Sequence, residues 1–179
     1  MYPYYVSFAY KLLRDSNVNV CTVVGFPNGN CSTMAKVAET INSIKDGATE
    51  IDMVANIGEV LSGHWEYVEK DIYAVKDAIT NNSNRKIILK VIVEICYLNE
   101  AQIVEMCKIC SKCNADYIKT STGFGSYGAT KDAVKLMKKT IEENKYNLNI
   151  KASGGIRTIK DAKEYITIGA DRIGASNLE

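Results

Sequence analysis

Residues 115–124 read ADYIKTSTGF and residues 150–158 read IKASGGIRT. Each is a short alternating run that breaks into hydroxyls and glycines. Strand side chains alternate with period two, so Lys119 shares a face with Tyr117 and points away from Ile118. Lys151 likewise shares a face with Asn149 and Ser153, opposite Ile150. Outward from these two runs the same pattern repeats. Apolar, β-branched runs lie at 18–26, 48–55, 86–96, 115–120, 148–153 and 170–175. Segments of helical period lie between them at 33–46, 64–79, 100–113, 131–144 and 159–168. A further helix opens the chain, with Pro3 in its first turn, where a missing N–H costs little. Gly47, Asn114 and Gly169 follow three of the helices just before a strand, as left-handed helix ends would. Alternating β and α elements predict a parallel sheet covered by helices, because parallel strands need crossovers.

Six strands in 179 residues leave two architectures open. A closed eight-stranded barrel typically needs about 250 residues. The chain is therefore either an open doubly wound sheet or a barrel with two units missing, and periodicity does not choose.

Composition excludes more than it selects. Lys and Arg total 22 against 21 Asp and Glu, so neither a nucleic-acid groove nor a polybasic membrane patch is expected. No apolar run approaches the roughly 20 residues that span a bilayer, and no signal-peptide pattern opens the chain. The six cysteines read as reduced thiols of a cytoplasmic protein, since the chain is neither small nor loop-rich. Two prolines and no low-complexity linker predict one domain over residues 1–179.

Polar groups collect at strand ends. Asp52 interrupts Ile51 and Met53; Lys90 and Glu94 punctuate the next strand, with Ile92 between them on the same face. Lys90, Lys119 and Lys151 on consecutive strands would converge inside a barrel mouth. A single such lysine reads equally well as a snorkelling side chain or a buried ion pair. Three with an aspartate suggest chemistry: burial and a neighbouring cation both lower a lysine's pKa, and the free amine attacks an aldehyde to form an imine. Late in the chain, Ser121, Thr122 and Gly123, then Gly154 and Gly155, then Gly174 and Ser176 offer backbone N–H groups to an anion. Arg157 could add a charge.

Six stretches, CTVVGFPNG (21–29), GATEIDMVANIG (47–58), KVIVEICYL (90–98), ADYIKTSTGF, IKASGGIRT and RIGAS (172–176), resemble in order those of the deoxyribose-phosphate aldolases. The resemblance implies an α/β TIM (β/α)8 barrel and chooses it over the open sheet. It implies a class I aldolase that reversibly cleaves 2-deoxy-D-ribose 5-phosphate to acetaldehyde and D-glyceraldehyde 3-phosphate, without metal or organic cofactor. Lys119 would form the Schiff base, and Lys151 would lower its pKa and join the proton relay. Asp52 would take and return protons, and Lys90 would support them electrostatically. Gly123, Gly154, Gly155 and Ser176 match positions that hold the substrate phosphate. Asn177 stands where a second serine often helps, leaving its backbone N–H to serve.

The chain also departs from the family pattern. The six strands match the third to eighth of the barrel, with the first two βα units, including an acidic residue of the first strand, and the closing helix largely missing. Open edges expose unpaired N–H and C=O groups, and the lost core should exceed a domain's usual stability of about 5–15 kcal/mol. The expectation is a chain that folds poorly alone, pairs with a second copy through its edge, or is part of a longer protein. A catalytically impaired member acting as an interaction or regulatory subunit is the alternative. A weaker one keeps the phosphate site but acts on another phosphosugar.

Other features carry less. Cys107, Cys110 and Cys113 have metal-cluster spacing but lie on a helix with core-compatible Ile103 and Met106, and read as buried thiols. His64 reads as a solvent-facing helix start and residues 81–84 as a polar loop. Lys138 and Lys139 read as a solvated helix face. Tyr2, Tyr4 and Tyr5 are expected to cover a surface left by the missing strands.

Overall fold

The computed structural model describes residues 1–177 and 179. Six strands form one parallel sheet in sequence order: β1 (Cys21–Val24), β2 (Glu50–Val54), β3 (Ile88–Ile92), β4 (Tyr117–Lys119), β5 (Asn149–Ser153) and β6 (Arg172–Gly174). All six expected strands are present, each shorter than its apolar run. β1 stops at Gly25, whose φ of 63° turns the chain, and the third run breaks two residues past β3 at Glu94, with φ 54°.

The helices are α1 (Val6–Leu13), preceded by a 3-10 turn at Pro3–Tyr5, α2 (Thr33–Asp46), α3 (Ile57–Leu61), α4 (Trp65–Asn82), α5 (Glu100–Lys112), α6 (Lys131–Asn144) and α7 (Ile159–Thr167). Ser32, Thr130 and Thr158 cap α2, α6 and α7, and Asn99 with Gln102 closes a capping box on α5. Each such cap is worth about 1 kcal/mol. Gly47, Asn114 and Gly169 have φ of 111°, 55° and 118°, the left-handed ends expected of them. The short α3 lies where the periodicity predicts no helix, and α4 runs through Asn81 and Asn82 because both amides bond back to the preceding turn, at Asp77 and Ala78.

The sheet is strongly curled. Arg172 on β6 donates to Glu50 on β2 at 2.6 Å, although four strand spacings in a flat sheet would separate them by about 19 Å. The outward face, with Ile51, Met53, Leu89, Val91, Ile118 and Ile150, packs on the helices around Ile72, Met106 and Met137 in one apolar core. The inward face is different: Glu50, Asp52, Lys90, Lys119, Lys151 and Arg172 meet there, and toward the strand ends Val54, Ile57 and Ile92, with Phe26 against them, form a small apolar cluster. Barrel interiors are usually filled with branched apolar side chains. This one is an ion-pair network.

Gly29 joins the β1–α2 loop to the end of β2. Its φ is 66°, and a Cβ there would lie 2.0 Å from the carbonyl oxygen of Ala55. Backbone cannot retreat as a side chain can, so Gly29→Ala is expected to cost at least about 2 kcal/mol in a urea melt. An unchanged midpoint would contradict this close approach.

Tyr2, Tyr4 and Tyr5 are largely exposed, Tyr4 to 87%, but the segment that carries them lies along the free edge of β1, where Val23 N–H donates to Met1 O and the 3-10 turn packs on the strand. Tyr2 also meets Phe26 edge-on. His64 is exposed at the start of α4, with Nδ1 2.6 Å from Glu59 Oε2. Among the described residues no helix is long and apolar enough to cross a membrane.

Candidate active site

Asp52 is the centre of the inward cluster. Val23, Asp52 and Lys90 are register neighbours across β1, β2 and β3, and Lys119 and Lys151 are register neighbours on β4 and β5. Curling the sheet closes the remaining gap. Oδ2 of Asp52 accepts from Lys119 Nζ at 2.7 Å and from Lys151 Nζ at 2.8 Å. Oδ1 accepts from Lys90 Nζ at 2.8 Å and from the Cys21 thiol at 3.3 Å. Lys90, fully buried, is also 2.6 Å from Glu50 Oε2, which in turn takes the Arg172 guanidinium. The four expected polar residues are thus brought together, and three were missed: Cys21, Glu50 and Arg172. Glu50 lies two residues before Asp52, so period-two reading would have placed it on the same face. Cys21 and Arg172 carried no such signal.

The electrostatics follow from burial working against pairing. Burial penalises the Asp52 carboxylate, but Lys119, Lys151 and Lys90 outweigh it and hold the carboxyl well below the usual range. Burial opposes ionised Glu50 too, and Arg172 and Lys90 again hold it low. Lys90 is disfavoured as an ammonium by burial, yet Asp52 holds its pKa above the ordinary value. Lys119 goes the other way. Burial, the largest cause, and then Lys151 lower its pKa, and Asp52 only partly offsets them. Both causes expected from the sequence act on Lys119, and desolvation ranks ahead of the neighbouring ammonium. Burial and Asp52 raise the Cys21 thiol, so it is no thiolate at neutral pH.

These shifts have a sign that can be tested. An ordinary lysine is free amine in about one molecule per thousand near pH 7.4. Because its pKa is lowered, Lys119 should react with an aldehyde probe at a rate that rises with pH and levels off below the ordinary lysine value of 10.5. Asp52→Asn removes an anion that favours the ammonium, so levelling should move to lower pH. Movement to higher pH would contradict the cause assigned.

A cavity of about 960 Å³ opens onto this cluster. Cys21, Asp52, Lys119 and Lys151 line one part; Gly123, Gly154, Gly155, Arg157, Ser176 and Asn177 line another. Among the described residues the backbone N–H groups of Gly123, Gly154 and Gly155 have no protein acceptor. All three have positive φ, of 91°, 85° and 77°. Gly154 is held by backbone crossing: a Cβ on Gly128 would lie 2.1 Å from its carbonyl oxygen. Concave, left-handed turns with unpaired N–H groups favour an anion.

The sequence profile of the DeoC/LacD family aldolases matches residues 1–178. The chain belongs to this family. It is 49% identical over 174 residues to the deoxyribose-phosphate aldolase of Caldanaerobacter subterraneus subsp. tengcongensis, covering 97% of this chain and 73% of the relative. Among solved structures it is similar to QR15, an aldolase, with TM-score 0.88 and 39% identity over 97% of this chain and 74% of the other. It is also similar to the tetrameric deoxyribose phosphate aldolase of Aeropyrum pernix, with TM-score 0.85 and 30% identity over 98% and 71% of the two chains.

The three cysteines of metal-cluster spacing are buried thiols, as expected. Cys107, Cys110 and Cys113 are buried on or just after α5, and burial raises their thiols, Cys107 to about 12 and Cys113 to about 11. They pack as small apolar groups. Among the described residues no cluster of His, Cys, Asp or Glu has the arrangement of a metal site.

Proposed function

We propose that the chain is a lysine-imine aldolase that reversibly cleaves 2-deoxy-D-ribose 5-phosphate to acetaldehyde and D-glyceraldehyde 3-phosphate. The observation that carries this reading is a buried amine, Lys119, bonded to a carboxylate that also holds a second lysine, in one cavity with three glycines whose N–H groups have no acceptor among the described residues. The names of the similar proteins support the substrate.

In this reading the Lys119 amine attacks C1 of the open-chain sugar, and the carbinolamine loses water to give an iminium. A two-carbon product requires cleavage between C2 and C3. The electron pair of that bond moves into the iminium and leaves an enamine, while the C3 hydroxyl loses its proton and becomes the aldehyde of glyceraldehyde 3-phosphate. Asp52 accepts that proton directly or through water, and Lys151 shares it across Oδ2. Protonation of the enamine at C2 and addition of water release acetaldehyde and restore the amine. Lys90 holds Oδ1, so that Oδ2 stays turned to the two reacting lysines. Gly123, Gly154, Gly155, Ser176 and Asn177 hold the phosphate, and Arg157 at the rim adds positive charge. Residues 1–179 act as one catalytic domain, whose six strands are the third to eighth of a (β/α)8 barrel, and the chain associates with further copies as the Aeropyrum enzyme does.

Reduction with borohydride in the presence of acetaldehyde, followed by peptide mapping, tests the reading. The expected product is an N-ethyl lysine at position 119. A folded sample that yields no adduct, or one only at other lysines, overturns it.

A further inference from the structure

Glu50, Asp52 and Asp71 are buried carboxylates, and each meets a lysine or arginine. Glu94 is buried to the same degree, 2% exposed, and among the described residues no cation pairs with it. It also sits in a left-handed backbone conformation, φ 54° and ψ 68°, that a long side chain adopts reluctantly. A buried carboxyl group with no cation beside it among the described residues and an unfavourable backbone at the same position are both costs, and such costs gather where geometry serves function.

The carboxylate is spent on one neighbour. Thr122 N–H donates to both of its oxygens, at 3.3 and 3.2 Å, and the Thr122 hydroxyl donates to Oε2. Thr122 Oγ1 in turn accepts from Phe124 N–H at 3.0 Å. Gly123, with its unpaired N–H in the cavity, is the residue between. The flanking backbone is stitched to the same strand end, through Val93 N–H to Lys119 O and Ile95 N–H to Thr120 O. Gly125 is pressed so closely on this corner that a Cβ would lie 2.4 Å from Cys96 Sγ. Glu94 itself does not line the cavity.

We infer that Glu94 is a positioning residue for the anion end of the cavity: acting through Thr122, it fixes the turn that presents Gly123 N–H to the substrate phosphate. The inference rests on the phosphosugar reading of the site. It assigns Glu94 to affinity for the phosphate group and not to imine chemistry.

Binding of inorganic phosphate, measured by calorimetry on the whole chain, reads this independently of turnover. Glu94→Gln should weaken phosphate about tenfold and raise KM for deoxyribose 5-phosphate in parallel, while Glu94→Ala does so more strongly. Turnover of unphosphorylated 2-deoxyribose and the rate of acetaldehyde trapping at Lys119 should stay within about twofold of the parent. Thr122→Val, which removes only the hydroxyl of the clamp, should give the same split if the Glu94 variants fold poorly. Equal losses with both sugars, or unchanged phosphate binding in a folded variant, overturn the inference. Failure of the parent chain to form any adduct would instead sink the aldolase reading, and the phosphate measurement would still decide the role of Glu94.

Discussion

Lys119→Ala is expected to lower kcat by roughly four orders of magnitude and to abolish the reducible adduct. The size follows from the chemistry: without the imine, the C2–C3 bond has no electron sink, and a carboxylate beside a second lysine cannot supply one. Lys119→Arg should be as inactive, because a guanidinium stays protonated and is no nucleophile. Neither loss should come from unfolding. Asp52 keeps Lys151 and Lys90 as donors when Lys119 is removed. Burial also disfavours the ammonium of Lys119 in the folded chain, so deleting it relieves a desolvation penalty. The measurement is turnover with deoxyribose 5-phosphate beside a urea melt. A variant with the parent's melt and more than a hundredth of its activity would show that another amine carries the reaction.

Lys36→Met should be the most damaging change to stability. Lys36 on α2 and Asp71 on α4 are 0% and 1% exposed at the side chain and 2.5 Å apart, and Thr33 Oγ1 also donates to Asp71. Removing the lysine leaves a buried carboxylate with one neutral donor, at an expected cost of about 3–5 kcal/mol. Set against a typical domain stability of about 5–15 kcal/mol, that is a large fraction. The double replacement Lys36→Met with Asp71→Leu should recover most of the loss, because an apolar pair of similar volume pays no desolvation. A double-mutant cycle by urea denaturation checks both numbers. A single variant costing under about 1 kcal/mol would mean that water reaches Asp71 in the folded chain.

Much of the architecture is legible along the chain because it depends on neighbours in sequence. The period-two faces of 115–120 and 148–153 place Lys119 and Lys151 on the same side of adjacent strands, and register then sets them side by side. Helix boundaries at 33–46 and 131–144 match to the residue, since caps and left-handed ends are local chemistry. The end of α4 was misplaced because asparagines favour loops on average, whereas Asn81 and Asn82 bond back within their own helix. Glu94 was read as one more residue on the face of Lys90. It instead leaves the strand, because the β3 ladder ends at Ile92 and its carboxylate is claimed by Thr122, 28 residues away.

By itself the amino-acid order determined the alternation of strand and helix, the shared side of Lys119 and Lys151 and the glycines that follow the late strands. Only the tertiary structure decided that these groups share one cavity, that Glu50 and Arg172, 122 residues apart, close the network behind Lys90, and that desolvation more than a second ammonium lowers the Lys119 pKa. The reason is physical. Periodicity sets the direction of a side chain from its immediate neighbours, but sheet curl and burial, which set distance and dielectric, are properties of all six strands packed together.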